Sequence, residues 1–473
     1  MNKELPQGWI WTSIAEIAEV EGGKRLPKGH MLSDVETDYP YIRVTDFQNY
    51  KVTKENIKYI EKETYEKIKR YIINKEDTYI SIAGSIGKVG TIPLELDGSN
   101  LTENAAKIKT QYYVNKLMAF FLSSNYGQRQ ISRYTIHTNQ PKLALFRIKK
   151  ISIPMPPLAE QQRIVNKIEE LFTNLDKGIE YLKTAQTELK ITRQAVLKYA
   201  LEGKLTEDWR EKHKDEIEPA SVLLEKIKAE RRREGKYKDL PPIDTSGNTN
   251  LPEGWAWARL GEAISIEYGK GLTKDKRDKN GKYPVYGSNG IVGYHSDYYV
   301  EKNCIVIGRK GAVGKVHLTN SPCWPIDTTY YTISPKELSM NFLFYLLSHL
   351  RLEKLDKSTA IPGINRNDVY SKVIILPPLE EQHKIVEEIE TYYSILDNME
   401  STISHSLNQT SGIRQSILKK AFEGRLVPQD PNDESASILL ERIRAEKSKN
   451  EREKKLEKKN RFVKEQYRQM RIE

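Results

Sequence analysis

Apolar residues recur every three or four positions in two long stretches of the chain, Pro157–Gly203 and Pro378–Gly424. A stripe with this heptad spacing is typical of a helix that packs lengthwise on a partner helix. Proline suits the start of a helix and glycine its end, and each helix would be about 65 Å long. The two are predicted to pair antiparallel, although an ordinary amphipathic core helix would show a similar stripe. The stripes comprise Ile168, Phe172, Leu175, Ile179, Leu182, Leu189 and Val196, then Ile389, Tyr393, Leu396, Ile403, Leu407 and Ile417, and are interrupted by Gln186, Arg193, Glu400 and Arg414.

The sequence before each stripe alternates short apolar runs with turns that contain glycine. Such runs predict strands, and a short apolar helix follows them in each part. The two globular parts therefore favour an α+β fold. The predicted strands are Tyr39–Val44, Thr78–Ile82, Lys88–Ile92, Tyr283–Tyr286, Cys304–Ile307 and Lys315–Leu318, and the predicted short helices are Lys116–Asn125 and Asn341–Leu350.

One series of segments occurs twice in the same order. The copies lie about 220 to 245 residues apart, far more than the period of a solenoid. The chain is therefore predicted to be a duplicated two-part module with internal pseudo-twofold symmetry, whose copies diverged at residues 21–80 and 267–306. The matched segments are Leu5–Trp11 with Leu251–Trp257, Gly84–Val89 with Gly311–Val316, Pro156–Val165 with Pro377–Val386, Arg193–Lys198 with Arg414–Lys419, and Ser221–Glu230 with Ser437–Glu446.

Composition adds a candidate partner and a compartment. The 473 residues carry a formal net charge of +11, and 30% of them are charged. A positive field favours encounter with nucleic acid, although many basic proteins bind no polyanion. Two cysteines, Cys304 and Cys323, can form neither a disulfide framework nor a cysteine-based zinc site. Because the sequence also shows no signal peptide and no apolar run long enough to span a membrane, we expect a cytoplasmic protein.

No segment carries a pattern specific for catalysis. Gly308–Val316 resembles a phosphate-binding loop, but its glycine spacing is wrong and no hydroxyl follows Lys315. The glycines here and in Gly84–Val89 are predicted to supply positive φ in tight turns, which leaves Lys88 and Lys315 to meet a phosphate. A dinucleotide fingerprint, an Asn/Asp-Pro-Pro-aromatic motif and histidines at metal-ligand spacing are all missing from the sequence. We therefore expect no catalytic residue, no metal and no cofactor on this chain.

Several segments resemble the target-recognition domains of Type I restriction-modification specificity subunits. They are Tyr283–Tyr294, Ile307–Gly311, Ile361–Ile364 and the two Pro-Pro-Leu-X-Glu-Gln helix starts at Pro156 and Pro377. The resemblance extends from Leu5 to about Val427, nearly the whole chain. The first part departs from the pattern, with Tyr41–Asp46 in place of the Tyr-Gly-Ser-Asn stretch and Thr138–Pro141 in place of Ile-Pro-Gly-Ile.

This resemblance implies a non-catalytic DNA-binding subunit. Two α+β target-recognition domains, separated by two long antiparallel paired helices, would each read one half of a bipartite asymmetric site. The helices would set the unread spacer between the halves. The implied division is a first target-recognition domain at 1–155, a first long helix at 156–203, a charged helix and linker at 204–250, a second target-recognition domain at 251–376, a second long helix at 377–424 and a charged, solvated helical tail at 425–473.

The resemblance also implies partners. They are double-stranded DNA, two modification subunits that bind S-adenosylmethionine and methylate adenine, and restriction subunits that hydrolyse ATP. S-adenosylmethionine and ATP are expected only on those subunits, and no membrane partner is expected. The modification subunits are expected to dock on the helices with the linker and tail.

Candidate DNA-binding residues are basic, amide and hydroxyl side chains in the predicted loops. Arg and Lys recognise guanine, Asn and Gln recognise adenine, and Ser is versatile. For any one of them a phosphate contact is the commoner role, because over half of protein–DNA hydrogen bonds go to the backbone. Tyr286 and Tyr294 are expected in the core. The candidates are Lys24, Arg25, Lys88, Asn139 and Gln140 in the first part and Lys270, Ser288, Asn289, Arg309, Lys310, Lys315, Asn365 and Arg366 in the second.

Two other functions remain open at this stage. A DNA methyltransferase or nuclease with its own catalytic domain would need a cofactor-binding motif, and the sequence offers none. A structural coiled-coil adaptor with no DNA role would be favoured by neutral loops, whereas the loops here are basic and rich in amides.

Overall fold

The computed structural model describes residues 4–48, 50–136, 139–235, 237, 240–244, 251–356, 362–449 and 452–453. Thr138, Ile361, residues 245–250 of the predicted linker and residues 450–451 and 454–473 of the tail lie outside the described residues. The chain forms two compact units. The first takes in Met1–Tyr181 and Ser406–Glu473, and the second is Leu182–His405.

The first unit is built on a six-stranded sheet in the order β2-β11-β8-β9-β5-β4. A four-stranded sheet, β6-β3-β10-β7, and the antiparallel pair β1-β12 complete it. Its strands are β1 (Ile10–Ser13), β2 (Glu19–Gly22), β3 (Pro40–Ile42), β4 (Phe47–Gln48), β5 (Lys51–Val52), β6 (Lys58–Tyr59), β7 (Ile72–Ile73), β8 (Thr78–Ser81), β9 (Val89–Thr91), β10 (Ser99–Leu101), β11 (Ala105–Lys109) and β12 (Ser152–Met155). Its helices are α1 (Ile14–Ile17), α2 (Lys62–Ile68), α3 (Asn115–Ser123), α4 (Asn125–Tyr134), α5 (Leu145–Ile148) and α6 (Leu158–Leu201), of which α6 continues into the second unit, with 3-10 turns at Val44–Asp46 and Leu94–Leu96. A further helix covers residues 436–449.

The second unit repeats the strands β2-β11-β8-β9 of that sheet in the order β14-β20-β17-β18 and adds a three-stranded sheet, β16-β15-β19, and the pair β13-β21. Its strands are β13 (Ala256–Arg259), β14 (Glu267–Tyr268), β15 (Tyr283–Gly287), β16 (Gly290–His295), β17 (Ile305–Gly308), β18 (Val316–Leu318), β19 (Trp324–Pro325), β20 (Thr329–Thr332) and β21 (Val373–Leu376). Its helices are α7 (Glu207–His213), α8 (Ala220–Arg233), α9 (Leu260–Ala263), α10 (Met340–His349), α11 (Arg366–Tyr370) and α12 (Leu379–Phe422), of which α12 continues into the first unit, with 3-10 turns at Lys274–Lys276 and Leu352–Leu355.

The predicted α+β fold class and pseudo-twofold repeat are confirmed. Sheet frame β2-β11-β8-β9 corresponds to β14-β20-β17-β18, and the pair β1-β12 corresponds to β13-β21. The units differ in the sheets inserted between these elements. Strands β8 and β17, which the sequence predicted as short runs between glycine turns, are buried along their whole length.

Helices α6 and α12 each contain 44 residues and begin directly after the predicted prolines. They pack together antiparallel, since the paired positions rise along one helix and fall along the other. In the first unit Asp176 of α6 forms an ion pair with Arg414 of α12, and in the second unit Arg193 of α6 pairs with Asp397 of α12. The antiparallel pairing predicted from the heptads is therefore confirmed.

The arginines that interrupt the apolar stripes have a structural reason. The Arg414 guanidinium lies 4.8 Å from the ring centroid of Phe172, and that of Arg193 lies 4.5 Å from the ring of Tyr393. Each arginine thus stacks on an aromatic residue of the opposite helix and pairs with a carboxylate one turn further along that helix. A polar contact in an apolar seam stabilises one register of the helix pair over its alternatives.

The repeated Pro-Pro-Leu-X-Glu-Gln segment joins each long helix to its globular domain. Gln161 is fully buried; its Oε1 accepts from the Val114 N–H (2.9 Å) and its Nε2 donates to the Pro156 carbonyl (3.1 Å). Gln382 does the same, accepting from the Ser339 N–H (2.8 Å) and donating to the Pro377 carbonyl (2.9 Å). The repeated motif therefore marks a fixed joint.

The glutamate before each of these buried glutamines accepts a hydrogen bond from the tryptophan of another repeated motif, Gly-Trp. Trp9 Nε1 donates to Glu160 (2.9 Å), and Trp255 Nε1 donates to Glu381 (2.7 Å). Burial raises the pKa of both carboxyl groups. Glu381 is completely buried.

Substituting Gln382→Leu is expected to lower the free energy of unfolding by about 2–4 kcal/mol, because it leaves a buried carbonyl and an N–H without partners. Gln194→Leu is the matched control, since Gln194 is an exposed glutamine in the same unit. It should change stability by less than about 0.5 kcal/mol. Urea unfolding of the full chain measures both. Equal effects of the two substitutions would contradict the claim that the buried glutamine fixes the long helix to its globular domain.

The segment after each long helix packs on a globular domain. The Ala220 N–H of α8 donates to Gly254 O (2.8 Å), and the Ala436 N–H of helix 436–449 donates to Gly8 O (2.9 Å). Leu439 and Ile443 are buried in the core of the first unit. The sequence predicted a solvated tail, whereas the described start of the tail packs on the first unit.

Cys304 and Cys323 are unbridged and buried, with their sulfur atoms 3.6 Å apart. Within the described ranges, no helix is long and apolar enough to cross a membrane. Among the same residues, no group of three or more His, Cys, Asp or Glu side chains is placed to hold a metal ion.

Candidate nucleic-acid interface

Five loops meet at one end of the second unit, where β17 ends and β20 begins. The N–H groups of Arg309 and Lys310 donate to Thr328 O (3.0 and 3.1 Å), and Ile364 N donates to Arg309 O (3.1 Å). On the other side, the Gly269 N–H donates to Thr329 O (3.1 Å). We call residues 268–271, 287–290, 308–315, 325–329 and 362–366 the second loop cluster. It contains every residue that the sequence put forward in this part: Lys270, Ser288, Asn289, Arg309, Lys310, Lys315, Asn365 and Arg366.

Two of the predicted arginines lie against the ring of one tyrosine. The guanidinium carbons of Arg309 and Arg366 lie 4.9 and 5.2 Å from the ring centroid of Tyr268. Tyr268 is 46% exposed. Arrangements of this kind hold guanidinium groups at a surface without burying them.

Lys270 is held by a second aromatic group. Its ammonium lies 5.4 Å from the ring of Tyr299 and 5.7 Å from that of Trp324. Trp324 Nε1 also donates to the Lys270 carbonyl (2.8 Å). The cation is therefore positioned on an exposed aromatic face.

The other predicted residues of this cluster divide between exposed and structural positions. Lys310 and Lys315 are exposed, and the Lys315 ammonium hydrogen-bonds the Asn289 side chain. Ser288 is only 7% exposed, and its hydroxyl lies 2.5 and 2.7 Å from the carbonyl oxygens of Lys310 and Thr328. The Asn365 side chain accepts from the Asn367 N–H (2.8 Å) and so caps α11. Their roles toward DNA stay predictions.

The glycine turns have the predicted backbone. Gly311 and Gly314 have φ of +79° and +75°, and Gly84 and Gly87 have φ of +69° and +87°. At Gly314 a Cβ would lie 2.3 Å from the Glu353 backbone nitrogen, so no larger residue fits.

The first unit has an equivalent group of loops. The Gly23 N–H donates to Ala105 O (3.0 Å), Ala83 N donates to Asn104 O (3.3 Å), and Ala83 bridges Lys142. We call residues 22–25, 82–88, 102–104 and 139–142 the first loop cluster. It contains the predicted Lys24, Arg25, Lys88, Asn139 and Gln140.

The cations of the first loop cluster differ in their contacts. Arg25 is paired with Glu103 (2.8 Å), which raises the pKa of Arg25. Lys24 lies 5.6 Å from the Tyr71 ring. Lys88 is exposed, and its ammonium donates to the carbonyls of Val44 and Phe47 (3.4 and 3.3 Å). Asn139 and Gln140 are exposed.

Sequence reasoning missed the aromatic residues of the second loop cluster and its neighbourhood. Tyr268, Tyr299 and Trp324 stand in short strands or loops where an aromatic residue usually packs inward, and only the cations around them distinguish them. Tyr286 packs against a small buried cluster, as expected. Tyr294 is 44% exposed, so its prediction as a core residue was wrong. It lies on the hairpin strand β16, which is an edge strand of the described three-stranded sheet.

Comparison with known proteins finds one family on both halves of the chain. The family model described as the Type I restriction modification DNA specificity domain matches residues 6–190 and 252–409. Among curated proteins, the chain is 24% identical to the Type I restriction enzyme EcoKI specificity subunit of Escherichia coli strain K12, over 94% of this chain and 97% of that one. It is also 24% identical to the StySPI specificity subunit of Salmonella potsdam, over 95% of this chain and 97% of that one.

Solved structures share the fold. The HsdS subunit from Thermoanaerobacter tengcongensis superposes with a TM-score of 0.56 at 18% identity, over 90% of this chain and 99% of that one. A chain from a study of assembly and conformational transition of the type I R-M system gives a TM-score of 0.64 at 20% identity, over 89% of this chain and 99% of that one.

Proposed function

We propose, from the premise that this chain belongs to the Type I restriction modification DNA specificity family, that its two globular domains read the two halves of one split DNA sequence. One observation carries the proposal. Each domain presents a loop cluster on the same sheet frame, but the side chains of the two clusters differ. One scaffold with two sets of recognition side chains suits an asymmetric, bipartite site.

The paired helices are proposed to set the unread spacer. Two half-sites on the same face of DNA have centres about 34 Å apart for each helical turn between them. A spacer must resist bending and slippage, and the two stacked arginines, Arg193 and Arg414, oppose slippage of the helix pair. The length of the gap would then follow from the length of the helices.

The helices also offer a docking surface for the modification subunits. In the second unit an open apolar groove runs between α6 and α12, and Ile395 and Met399 in it are 48% and 50% exposed. Exposed apolar surface of this kind suits a protein partner. The groove is lined by Ala185, Glu188, Leu189, Thr192, Ile395, Asn398, Met399, Thr402 and Ile403.

In this proposal chemistry belongs to the partners. Two modification subunits would bring S-adenosylmethionine and methylate adenine, and restriction subunits would hydrolyse ATP. This chain would carry no catalytic residue and no cofactor of its own. A fused methyltransferase or nuclease is the alternative.

Reconstitution separates the two. The purified chain, a methyltransferase-like protein tested as its modification subunit, and both together are incubated with DNA and labelled S-adenosylmethionine. We expect methyl transfer into a specific DNA sequence only when both proteins are present. Transfer by this chain alone would establish the enzyme alternative.

A further inference from the structure

The Arg-Tyr-Arg stack of the second loop cluster has a counterpart of different chemistry in the first domain. The backbone identifies the equivalent positions. Tyr268 pairs across the sheet with Tyr330, as Gly22 pairs with Ala106. On the other side of the same strands, Tyr330 pairs with Ile307, as Ala106 pairs with Ile80. Gly22 therefore occupies the place of Tyr268.

The arginines are matched in the same way. Ile364 N donates to Arg309 O (3.1 Å), as Leu143 N donates to Ile82 O (2.9 Å). Ile82 thus corresponds to Arg309, and Leu145, two residues after Leu143, corresponds to Arg366.

In the first domain these three positions form an apolar contact. A Cβ placed on Gly22 would lie 3.5 Å from Leu145 Cδ1, and Ile82 is only 5% exposed. The frame is therefore stable without charge at these places. The stack in the second domain is an addition to the surface, and the core does not require it.

The two guanidinium groups are oriented before any ligand arrives. Arg309 Nη1 donates to the Asp327 carbonyl and Arg366 Nη1 to the Ile266 carbonyl, both at 3.2 Å. Each guanidinium has five N–H donors in a planar fork, so one such bond leaves donors for a base edge. Fixing a long side chain in advance removes part of the entropic cost of binding.

We propose that Arg309 and Arg366 read guanine in the half-site of the second domain, and that Tyr268 is the positioning residue that holds them side by side. This rests on the proposed function. Arginine is the side chain that binds guanine O6 and N7 through two hydrogen bonds. The first domain, with Gly22, Ile82 and Leu145 at these positions, reads its half-site with other residues.

The test is the methylation motif made in cells by the assembled complex containing Arg309→Lys or Arg366→Lys. Lysine keeps the charge for a phosphate contact but loses the planar fork. We expect at least one guanine position of one half-site to become degenerate, with discrimination falling about 5- to 150-fold, while the other half-site stays unchanged.

Tyr268 is tested by a conservative and a disruptive substitution. Tyr268→Phe keeps the aromatic face and should retain the motif, whereas Tyr268→Leu should relax the same half-site as the arginine variants. Lys336→Ala is the control, because Lys336 is an exposed cation of the same domain that lies beyond the far end of β20. It should leave the motif intact.

The unchanged half-site shows in every sample that the complex is assembled and the first domain folded. A wild-type motif that is not split would refute the proposed function itself. A split wild-type motif that both Arg→Lys variants retain, or that they weaken uniformly without degeneracy, would overturn the guanine-reading stack alone.

Discussion

Inserting four residues after Gln186 in α6 and four more after Ile403 in α12 is expected to lengthen the unread gap of the methylated sequence. Four helical residues add about 6 Å, and DNA rises about 3.4 Å per base pair, so the gap should grow by one to two base pairs. Because both helices are extended at facing positions, the Arg193–Asp397 pair and the Arg414–Asp176 pair are each retained.

The original sequence should then be a poor target. When one domain is engaged, the other meets the wrong base pairs, and each mismatch costs about 1–3 kcal/mol. Affinity for the original spacing should therefore fall on the order of a hundredfold or more. The control is an insertion of the same four residues in the predicted linker, 245–250. An unaltered gap after the paired helix insertions would refute the proposal that the helices set the unread spacer.

Replacing Met399 and Ile395 together by lysine is expected to prevent assembly with the methyltransferase-like protein. Two charges in a groove that a partner covers would be buried without pairing, and each costs several kcal/mol. Co-purification from cells that express both proteins measures the loss. Ser401→Lys is the matched control, since Ser401 is exposed on the same helix and does not line the groove.

DNA methylation in those cells should disappear with assembly. If the double lysine variant still co-purifies in full amount, the groove is not the docking surface. The helix pairing and the DNA-reading loops would be unaffected by that result.

Features that depend on local spacing could be predicted from the sequence. The bounds of α6 and α12 follow from the heptads and the flanking proline and glycine, and the strand Thr78–Ser81 follows from a short run that precedes a glycine turn. Sheet order could not be predicted in this way. The parallel pairing of β10 with β3 joins residues almost sixty positions apart, and no local pattern encodes it.

The loop clusters were predictable by residue type but not by arrangement. Basic and amide residues near glycine turns identified Arg309 and Arg366, and the structure brings them to one place. The contact of both with the Tyr268 ring was not predictable, because three loops must first come together on the folded sheet. The seam arginines have the same explanation, since Arg193 looks like an interruption until Tyr393 lies opposite.

The central claim, that one chain directs methylation to a sequence in two halves, is tested most directly by a genome-wide map of methylated adenines. The map is made in cells that express this chain, the methyltransferase-like protein, or both. We expect a split motif with a fixed unread gap that appears only when both are expressed. A continuous motif, or methylation directed by this chain alone, would contradict it.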